Sequence, residues 1–259
     1  MSIFQKIAAA KKTEIAALKK NSVSFARLQV STKSLAAVLT SERLQIIAEI
    51  KRGSPGMKEA FEPPNLPKII DAYNKSAAAI SVVVESQFFN GQIEDIKFVA
   101  DNSPKPILVK EVVLDKVQVD WLRYNGADAI LLNANLLSKQ QLKKLSDHII
   151  SYRMEPFVEV HDIREFYTAL EIGAQIIAIH NVNPSTWETD NGATESILES
   201  VGIEYLKDKV LVYASGVKSL NDLSRVSKYT QFNAVLIGTA FMQNLDLVHR
   251  FNEELTNNI

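Results

Sequence analysis

The chain has no cysteine among its 259 residues. This absence excludes disulfide bonds, thiol catalysis and cysteine-ligated metal sites, and it is compatible with a reducing cytoplasm. Histidine is scarce as well. The chain has four histidines, and no two of them show the spacing along the sequence that metal ligands usually have. We therefore expect no bound metal.

An excess of one charge is also missing. The chain carries 29 lysines and arginines against 30 aspartates and glutamates, a formal net charge of -1, with no basic block. This balance argues against nucleic acid or an anionic membrane as the main partner. The longest apolar run, residues 77–84, is far too short to span a bilayer. Lysines scattered through the N-terminal segment leave no apolar core for a secretory signal.

Short runs of valine, isoleucine and leucine recur through most of the chain. Eight of them predict strands, at residues 46–50, 79–84, 106–110, 129–133, 156–160, 176–180, 210–214 and 234–238. Their starts lie roughly 20 to 35 residues apart, which is the interval that a strand–helix unit needs. Because the runs are continuously apolar, they suit parallel strands that are buried on both faces.

Amphipathic patterns separate these runs. They predict helices at residues 65–74, 117–125, 139–152, 163–172, 194–201 and 219–227, with two more at 2–21 and 33–39. We therefore predict an α/β fold, a (β/α)8 TIM barrel in which residues 1–45 form an N-terminal helical extension. No linker interrupts the pattern, so residues 1–259 are expected to form one domain. A doubly wound sheet is the alternative, but its Gly-x-Gly-x-x-Gly turn is absent after the first strand.

The first strand ends with two opposite charges. Alternate residues of a strand point to the same side, so Ile47, Glu49 and Lys51 share one face. Ser54 and its neighbours Gly53 and Pro55 then end the strand and open a loop. Two buried charges cost considerable desolvation energy unless they are compensated. The pattern therefore indicates either an edge strand with solvated charges or a functional pair.

More charges lie at other strand ends, where the chemistry of such a barrel is located. Lys110 ends the third strand and Glu159 is near the end of the fifth, each on the face of an apolar residue two positions earlier. The side chains of Lys110 and Glu159 can therefore converge with those of Glu49 and Lys51 at the C-terminal opening of the barrel. Such a set suits proton transfer, because a buried lysine near a second cation can lose proton affinity. A glutamate in an apolar wall can have its pKa raised.

Small residues follow the last two strands. Ser215 and Gly216 come after the seventh strand, and Gly238 and Thr239 after the eighth. Small side chains let backbone N–H groups approach an anion, and this is the usual phosphate corner of a barrel. Ordinary tight turns are the alternative interpretation. We predict that a phosphate group binds there.

The histidines differ in their expected roles. His180 ends the sixth strand and is the histidine placed to face a substrate. His161 follows the fifth strand and is expected to be structural. His148 and His249 lie in helical segments and are expected at the surface.

A family resemblance covers nearly the whole chain. It is carried by Ile3-Phe4-Gln5-Lys6-Ile7, Ile47-Ala48-Glu49-Ile50-Lys51-Arg52 with Ser54-Pro55, Ile80-Ser81-Val82 with Glu85, Phe89-Asn90-Gly91, Pro106-Ile107-Leu108 with Lys110, residues 126–132, Glu159-Val160-His161, Ser215-Gly216 and residues 236–242. On these residues the chain resembles the indole-3-glycerol phosphate synthases, barrel enzymes of tryptophan biosynthesis.

The resemblance implies a carboxy-lyase that closes the indole ring of 1-(2-carboxyphenylamino)-1-deoxyribulose 5-phosphate with loss of CO2 and water, without a cofactor. Lys110 would be the general acid for the sugar carbonyl, and Glu159 would handle the proton of the later dehydration. Lys51 would assist, and Glu49 would orient the lysines. The implied substrate positions are Ser54, Ser215, Gly216, Gly238 and Thr239 at the phosphate, and Phe89 and Leu131 at the aromatic ring.

The chain departs from the family pattern near one end of the substrate. Where the family usually reads Ile-Asn-Asn-Arg-Asn-Leu, this chain reads Ile179-His180-Asn181-Val182-Asn183-Pro184. Val182 replaces the arginine that would pair with the substrate carboxylate, and Ala214 replaces a glutamate. Val112 stands where an aromatic residue is usual. Losing a charge-assisted contact costs about 1.5 to 3 kcal/mol.

Three functions therefore stay open at this point. The first is a divergent synthase in which His180 replaces part of the lost hydrogen bonding. The second is a paralogous lyase or cyclase for a related phosphorylated amino-sugar without the ring carboxylate. The third is a non-catalytic module that binds a phosphate ligand, although a mere binder has no need for the buried charges. In each case we expect a cytoplasmic monomer or weak homo-oligomer with a small phosphorylated partner, and neither nucleic acid nor membrane.

Overall fold

Eight parallel strands close into a barrel in the computed structural model, which describes residues 3–20, 28–55, 61, 65–182 and 192–257. The strands are β1 (Gln45–Ile50), β2 (Ala79–Val83), β3 (Ile107–Lys110), β4 (Ala129–Asn133), β5 (Glu155–Val160), β6 (Ile176–His180), β7 (Val210–Ala214) and β8 (Ala234–Ile237). Each strand pairs with its neighbours in chain order, and β1 also pairs with β8. The predicted (β/α)8 fold and its eight strands are confirmed, with ends that shift by one residue at most.

The strand side chains alternate between two apolar cores, because successive residues point to opposite faces of a sheet. Inside the barrel, Ile47, Leu108, Leu131 and Phe157 are buried in one cluster. The outward-facing residues, such as Ile50, belong to a second and larger cluster between the sheet and the helices. Burial on both faces explains the continuously apolar strand sequences.

Helices lie between successive strands and cover the outside of the barrel, whereas Leu35, Ala36 and Leu39 of a short helix before β1 pack into the interior cluster. Those in the described residues are α1 (Ile3–Lys20), α2 (Leu35–Leu39), α3 (Leu66–Ser76), α4 (Ser86–Phe89), α5 (Glu94–Asn102), α6 (Lys116–Asn125), α7 (Lys139–Ser151), α8 (Ile163–Glu171), α9 (Gly192–Ser200), α10 (Leu220–Val226), α11 (Thr239–Gln243) and α12 (Leu247–Asn257). Every helix predicted from the patterns is present, and α5 fills the interval between β2 and β3 that no predicted helix covered. Residues 2 and 21, the ends of the first predicted helix, lie outside the described residues.

Two further predictions concern membrane spans and the division of the chain into domains. Among the described residues, no helix is both long enough and apolar enough to cross a membrane. The division into a 1–45 extension and a single 1–259 domain stays a prediction.

A buried ion cluster joins α1 to the barrel. Lys11 Nζ donates to Glu14 at 2.7 Å and to Glu111 at 2.8 Å, and it lies 3.7 Å from Glu85. Glu111 directly follows β3, while Glu85 accepts hydrogen bonds from backbone N–H groups of α4. Because unpaired buried charges are costly, this cluster holds α1 against the C-terminal ends of β2 and β3.

We predict that Phe157→Ala lowers the free energy of unfolding by about 3 to 5 kcal/mol, because it opens a cavity in the interior cluster of the barrel. Urea unfolding followed by tryptophan fluorescence measures the change. Tyr205→Ala is the control, since this aromatic ring is 52% exposed and its loss should cost about 0.5 kcal/mol or less. Equal effects of the two substitutions would contradict the assignment of Phe157 to the barrel core.

Candidate active site

The C-terminal ends of the strands surround a cavity of about 330 Å³. The structure brings all twelve residues singled out from the sequence to its wall, namely Glu49, Lys51, Ser54, Phe89, Lys110, Leu131, Glu159, His180, Ser215, Gly216, Gly238 and Thr239. The strands hold the charged side chains in place, and the small residues come from the turns after β7 and β8. Their individual roles stay predictions.

The four charged residues form one connected cluster. Lys110 Nζ lies 3.2 Å from Glu49 Oε2 and 3.8 Å from Glu159 Oε2, and Lys51 Nζ lies 3.7 Å from Glu49 Oε1. Glu49 therefore stands between the two lysines, and Lys110 stands between the two glutamates. Both glutamates are buried. The sequence alternative of an edge strand with solvated charges is wrong, because β1 is paired on both sides.

The lysine protonation states follow from these contacts. Burial alone would lower the pKa of the Lys110 ammonium, but the charges of Glu49 and Glu159 outweigh it and raise that pKa above its usual value. Burial lowers the pKa of Lys51, and Glu49 offsets only part of this effect because Lys110 is also close. The lysine with reduced proton affinity, expected from the sequence, is therefore Lys51 and not Lys110.

The raised pKa that the sequence suggested for a buried glutamate also needs correction, because neighbouring side chains outweigh the effect of burial. Burial would raise the pKa of Glu159, but its contacts with His180 and Lys110 more than offset it and lower that pKa. The carboxyl of Glu49 follows the same pattern, with burial outweighed by Lys110 and Lys51. The raised pKa expected for a glutamate in an apolar wall is thus wrong for Glu159, since His180 and the Lys110 ammonium face its carboxylate.

Asn133 and His180 flank the carboxylate of Glu159. Asn133, the last residue of β4, donates through Nδ2 to Glu159 Oε1 at 2.9 Å. His180 Nδ1 lies 3.6 Å from the same oxygen. Burial lowers the pKa of His180 to about 4, so its ring is neutral at neutral pH. The sequence placed Asn133 at a strand end but did not assign it to the site.

His161 is closer to the site than the sequence suggested. Its Nε2 lies 3.0 Å from His180 Nδ1, and its Nδ1 lies 3.2 Å from Glu165 Oε2 on α8. Burial would lower the pKa of His161, but the hydrogen bond to Glu165 raises it above its usual value. Spacing along the chain had argued against metal ligands, yet adjacent strands bring His161, His180 and Glu159 together. The signal was present, because His161 shares the inward face of Glu159.

The two turns of small residues line the cavity for different structural reasons. The first has an unusual backbone conformation, and the second has little space for a side chain. Ser215 and Gly216 have φ values of 70° and 84°, a left-handed backbone that glycine adopts most readily. A Cβ added to Gly238 would lie 2.4 Å from Glu49 Oε1, so a larger residue there would displace the Glu49 carboxylate. Lys218, which the sequence reasoning missed, also lines the cavity three residues after Ser215. A cation so close to a predicted anion site was the available signal.

The remaining wall is apolar. Phe89 and Leu131 line it, and so do Val112 and Val182 at two of the positions that depart from the family pattern. Asn183 and Pro184, the end of the stretch that begins at Ile179, lie outside the described residues.

We predict that Glu49→Gln lowers the free energy of unfolding by about 3 to 5 kcal/mol at neutral pH, because two buried ammonium groups lose the carboxylate between them. Glutamine keeps the shape of the side chain, so the change isolates the charge. The matched control is Glu171→Gln. Its partner Lys139 lies 2.8 Å away at the surface, where such a pair contributes about 0 to 1 kcal/mol. Comparable urea midpoints for both variants would refute the central role of Glu49.

Known structures with low sequence identity share the fold. The 3-hexulose-6-phosphate synthase from Salmonella typhimurium aligns with a TM-score of 0.60 at 15% identity, covering 83% of this chain and 100% of that chain. The N-acetylmannosamine-6-phosphate 2-epimerase from Clostridium perfringens aligns with a TM-score of 0.58 at 16% identity, covering 86% and 97%. At these identities the likeness shows the barrel fold alone.

Sequence comparison is more specific. The family model described as indole-3-glycerol phosphate synthase matches residues 4–254. The indole-3-glycerol phosphate synthase of Bacillus cereus (strain AH187) is 34% identical over 259 residues, which is 100% of this chain and 99% of the relative. That of Bacillus anthracis (strain A0248) is 33% identical with the same coverage. The chain belongs to the indole-3-glycerol phosphate synthase family.

Proposed function

We propose that this chain is an indole-3-glycerol phosphate synthase, a carboxy-lyase of tryptophan biosynthesis that needs no cofactor. Its substrate would be 1-(2-carboxyphenylamino)-1-deoxyribulose 5-phosphate, which loses CO2 and water as the indole ring closes. The observation that carries the proposal is the Lys110 ammonium, held between Glu49 and Glu159 at the wall of the cavity. The family match over the full length favours this function over the paralogous lyase and the binding module.

Lys110 is the general acid of the proposed mechanism. Its raised pKa keeps the ammonium protonated at neutral pH, so it can give a proton to the sugar carbonyl oxygen as the new carbon–carbon bond forms. Loss of CO2 from the ring carbon then restores the aromatic system. Glu49 orients Lys110 through the 3.2 Å contact.

Glu159 handles the proton of the dehydration. Its lowered pKa leaves it as a carboxylate that can accept a proton while the hydroxyl group leaves as water. Lys51 assists, because its lowered pKa makes its ammonium the readier proton donor of the two lysines. His180, neutral and in contact with Glu159, supplies part of the hydrogen bonding that the family asparagine would give.

The other wall residues divide between the two ends of the substrate. Ser54 and Lys51 hold the phosphate together with the turns at Ser215-Gly216 and Gly238-Thr239, whose small residues let backbone N–H groups come close. Phe89 and Leu131 contact the aromatic ring. The cytoplasmic location and the monomeric or weakly homo-oligomeric state remain predictions from the sequence.

We predict that Lys110→Met lowers kcat at least about 100-fold, because methionine keeps much of the side-chain length but donates no proton. Turnover of the carboxyphenylamino-deoxyribulose phosphate is followed by indole fluorescence, with circular dichroism to verify folding. Lys97→Met is the control, since Lys97 pairs with Asp101 at the surface of α5 and should leave turnover unchanged. A folded Lys110→Met variant with wild-type kcat would rule out the assigned role.

We predict that Val182→Arg lowers the KM for the same substrate by about 10- to 100-fold, because a guanidinium can pair with the substrate carboxylate. Val182 lines the cavity, so the new side chain starts at its wall. Val182→Leu is the matched control and should leave KM nearly unchanged, since leucine adds bulk without charge. An increase in KM with arginine and not with leucine would show that the carboxylate binds elsewhere.

A further inference from the structure

The ends of β5 and β6 place three metal-ligating side chains together. His161 Nε2 lies 3.0 Å from His180 Nδ1, which lies 3.6 Å from Glu159 Oε1, and the ligand atoms of the three residues all lie within 4.8 Å of one another. We propose that Glu159, His161 and His180 form a binding site for a divalent transition-metal ion of the Zn²⁺ class at the wall of the cavity.

The donor set and its spacing suit such an ion. Zn²⁺ binds histidine nitrogen and carboxylate oxygen at about 2.0 to 2.2 Å, and two histidines with one glutamate form a well-known three-ligand arrangement. Tetrahedral geometry then puts neighbouring donors about 3.3 Å apart. The observed separations of 3.0 and 3.6 Å lie on either side of that value. All three donor atoms lie within 4.8 Å of one another, so rotation of these side chains could bring them to the spacing that an ion requires.

The surrounding residues orient the ligands. Glu165 Oε2 lies 3.2 Å from His161 Nδ1, which turns Nε2 toward the cluster, as a carboxylate does behind many metal-bound histidines. Asn133 holds Glu159 Oε1 at 2.9 Å. Glu159 Oε2 accepts no hydrogen bond from any described residue, and the Lys110 ammonium lies 3.8 Å from it.

The local charge also favours a cation. Glu49, Glu159 and Glu165 contribute three carboxylates, whereas Lys51 and Lys110 contribute two ammonium groups, so carboxylates outnumber ammonium groups around the cluster. The nearest ammonium, that of Lys110, lies closer to Glu49 at 3.2 Å than to Glu159 at 3.8 Å. Without a metal, one imidazole donates a hydrogen bond to the other. A metal ion would compete with this shared proton for the nitrogen lone pair of the accepting imidazole.

A bound ion would affect catalysis through Glu159. Glu159 and His180 line the cavity, so the ion would keep an open position on the cavity side. Because the ion withdraws Glu159 from proton transfer, Zn²⁺ would act as a reversible inhibitor. This inhibitory part rests on the proposed function, whereas the binding site does not.

Equilibrium dialysis of the untagged, metal-free full-length protein against Zn²⁺ tests the site. We expect one equivalent of Zn²⁺, and with Co²⁺ as a probe a visible absorption band of four-coordinate geometry. Glu165→Gln should weaken Zn²⁺ binding about 10- to 100-fold, and His161→Ala and His180→Ala should weaken it more. His148→Ala is the control, because His148 contacts Asp120 on α6, away from the cluster, and should leave binding unchanged.

Two results would overturn the site: no Zn²⁺ bound at millimolar concentration, or binding that persists in folded His161→Ala and His180→Ala variants. Should either alanine variant fail to fold, His161→Gln and Glu165→Gln provide the same comparison. Turnover by the metal-free enzyme without Zn²⁺ binding would remove the site and leave the proposed function. A folded protein that binds Zn²⁺ but does not turn over the substrate even when it is metal-free would remove the proposed function and leave the site.

Discussion

The carboxylate of Glu49 is the constraint on which the mouth of the barrel depends. It lies 3.2 Å from Lys110 and 3.7 Å from Lys51, and it is buried. Without it, two ammonium groups would face one cavity with Glu159 as their main compensation. The same carboxylate restricts the turn after β8, because a Cβ at Gly238 would lie 2.4 Å from Glu49 Oε1. A larger residue at position 238 would therefore displace the Glu49 carboxylate from the charge cluster.

The apolar interior of the barrel strengthens the interactions among these charges. Beneath the charged residues, Ile47, Leu108 and Phe157 fill the interior, so the cluster rests on an apolar layer that excludes water. Charges interact more strongly in such surroundings than in water. As a result, Lys110 stays protonated and Glu159 stays ionised side by side, although burial alone would neutralise both. An acid and a base of opposite charge can thus coexist in one cavity at neutral pH.

Most residues of the site could be predicted from the sequence, because successive residues of a strand point to opposite faces. Alternation of apolar and charged residues was enough to place Glu49, Lys110 and Glu159 on the inward face, because every strand of a closed barrel has the same inside. The protonation states could not be predicted, since they depend on which opposite charge lies within a few ångströms. The contact of His161 with His180 was missed because ligand spacing was sought along the chain, whereas the two residues meet across neighbouring strands.

The departures from the family pattern share one physical theme. The four charged residues to which we assign proton transfer are present, whereas Val182 and Ala214 remove charge from positions where the family usually has an arginine and a glutamate. His180 lies next to both regions, since it is 3.6 Å from Glu159 and pairs with Ala214 on β7. An asparagine at 180 offers an amide, which is a poor ligand for Zn²⁺, whereas an imidazole binds such ions well. The imidazole of His180 is therefore the side chain on which both proposals depend, the replacement hydrogen bonding of the synthase site and the binding of a metal.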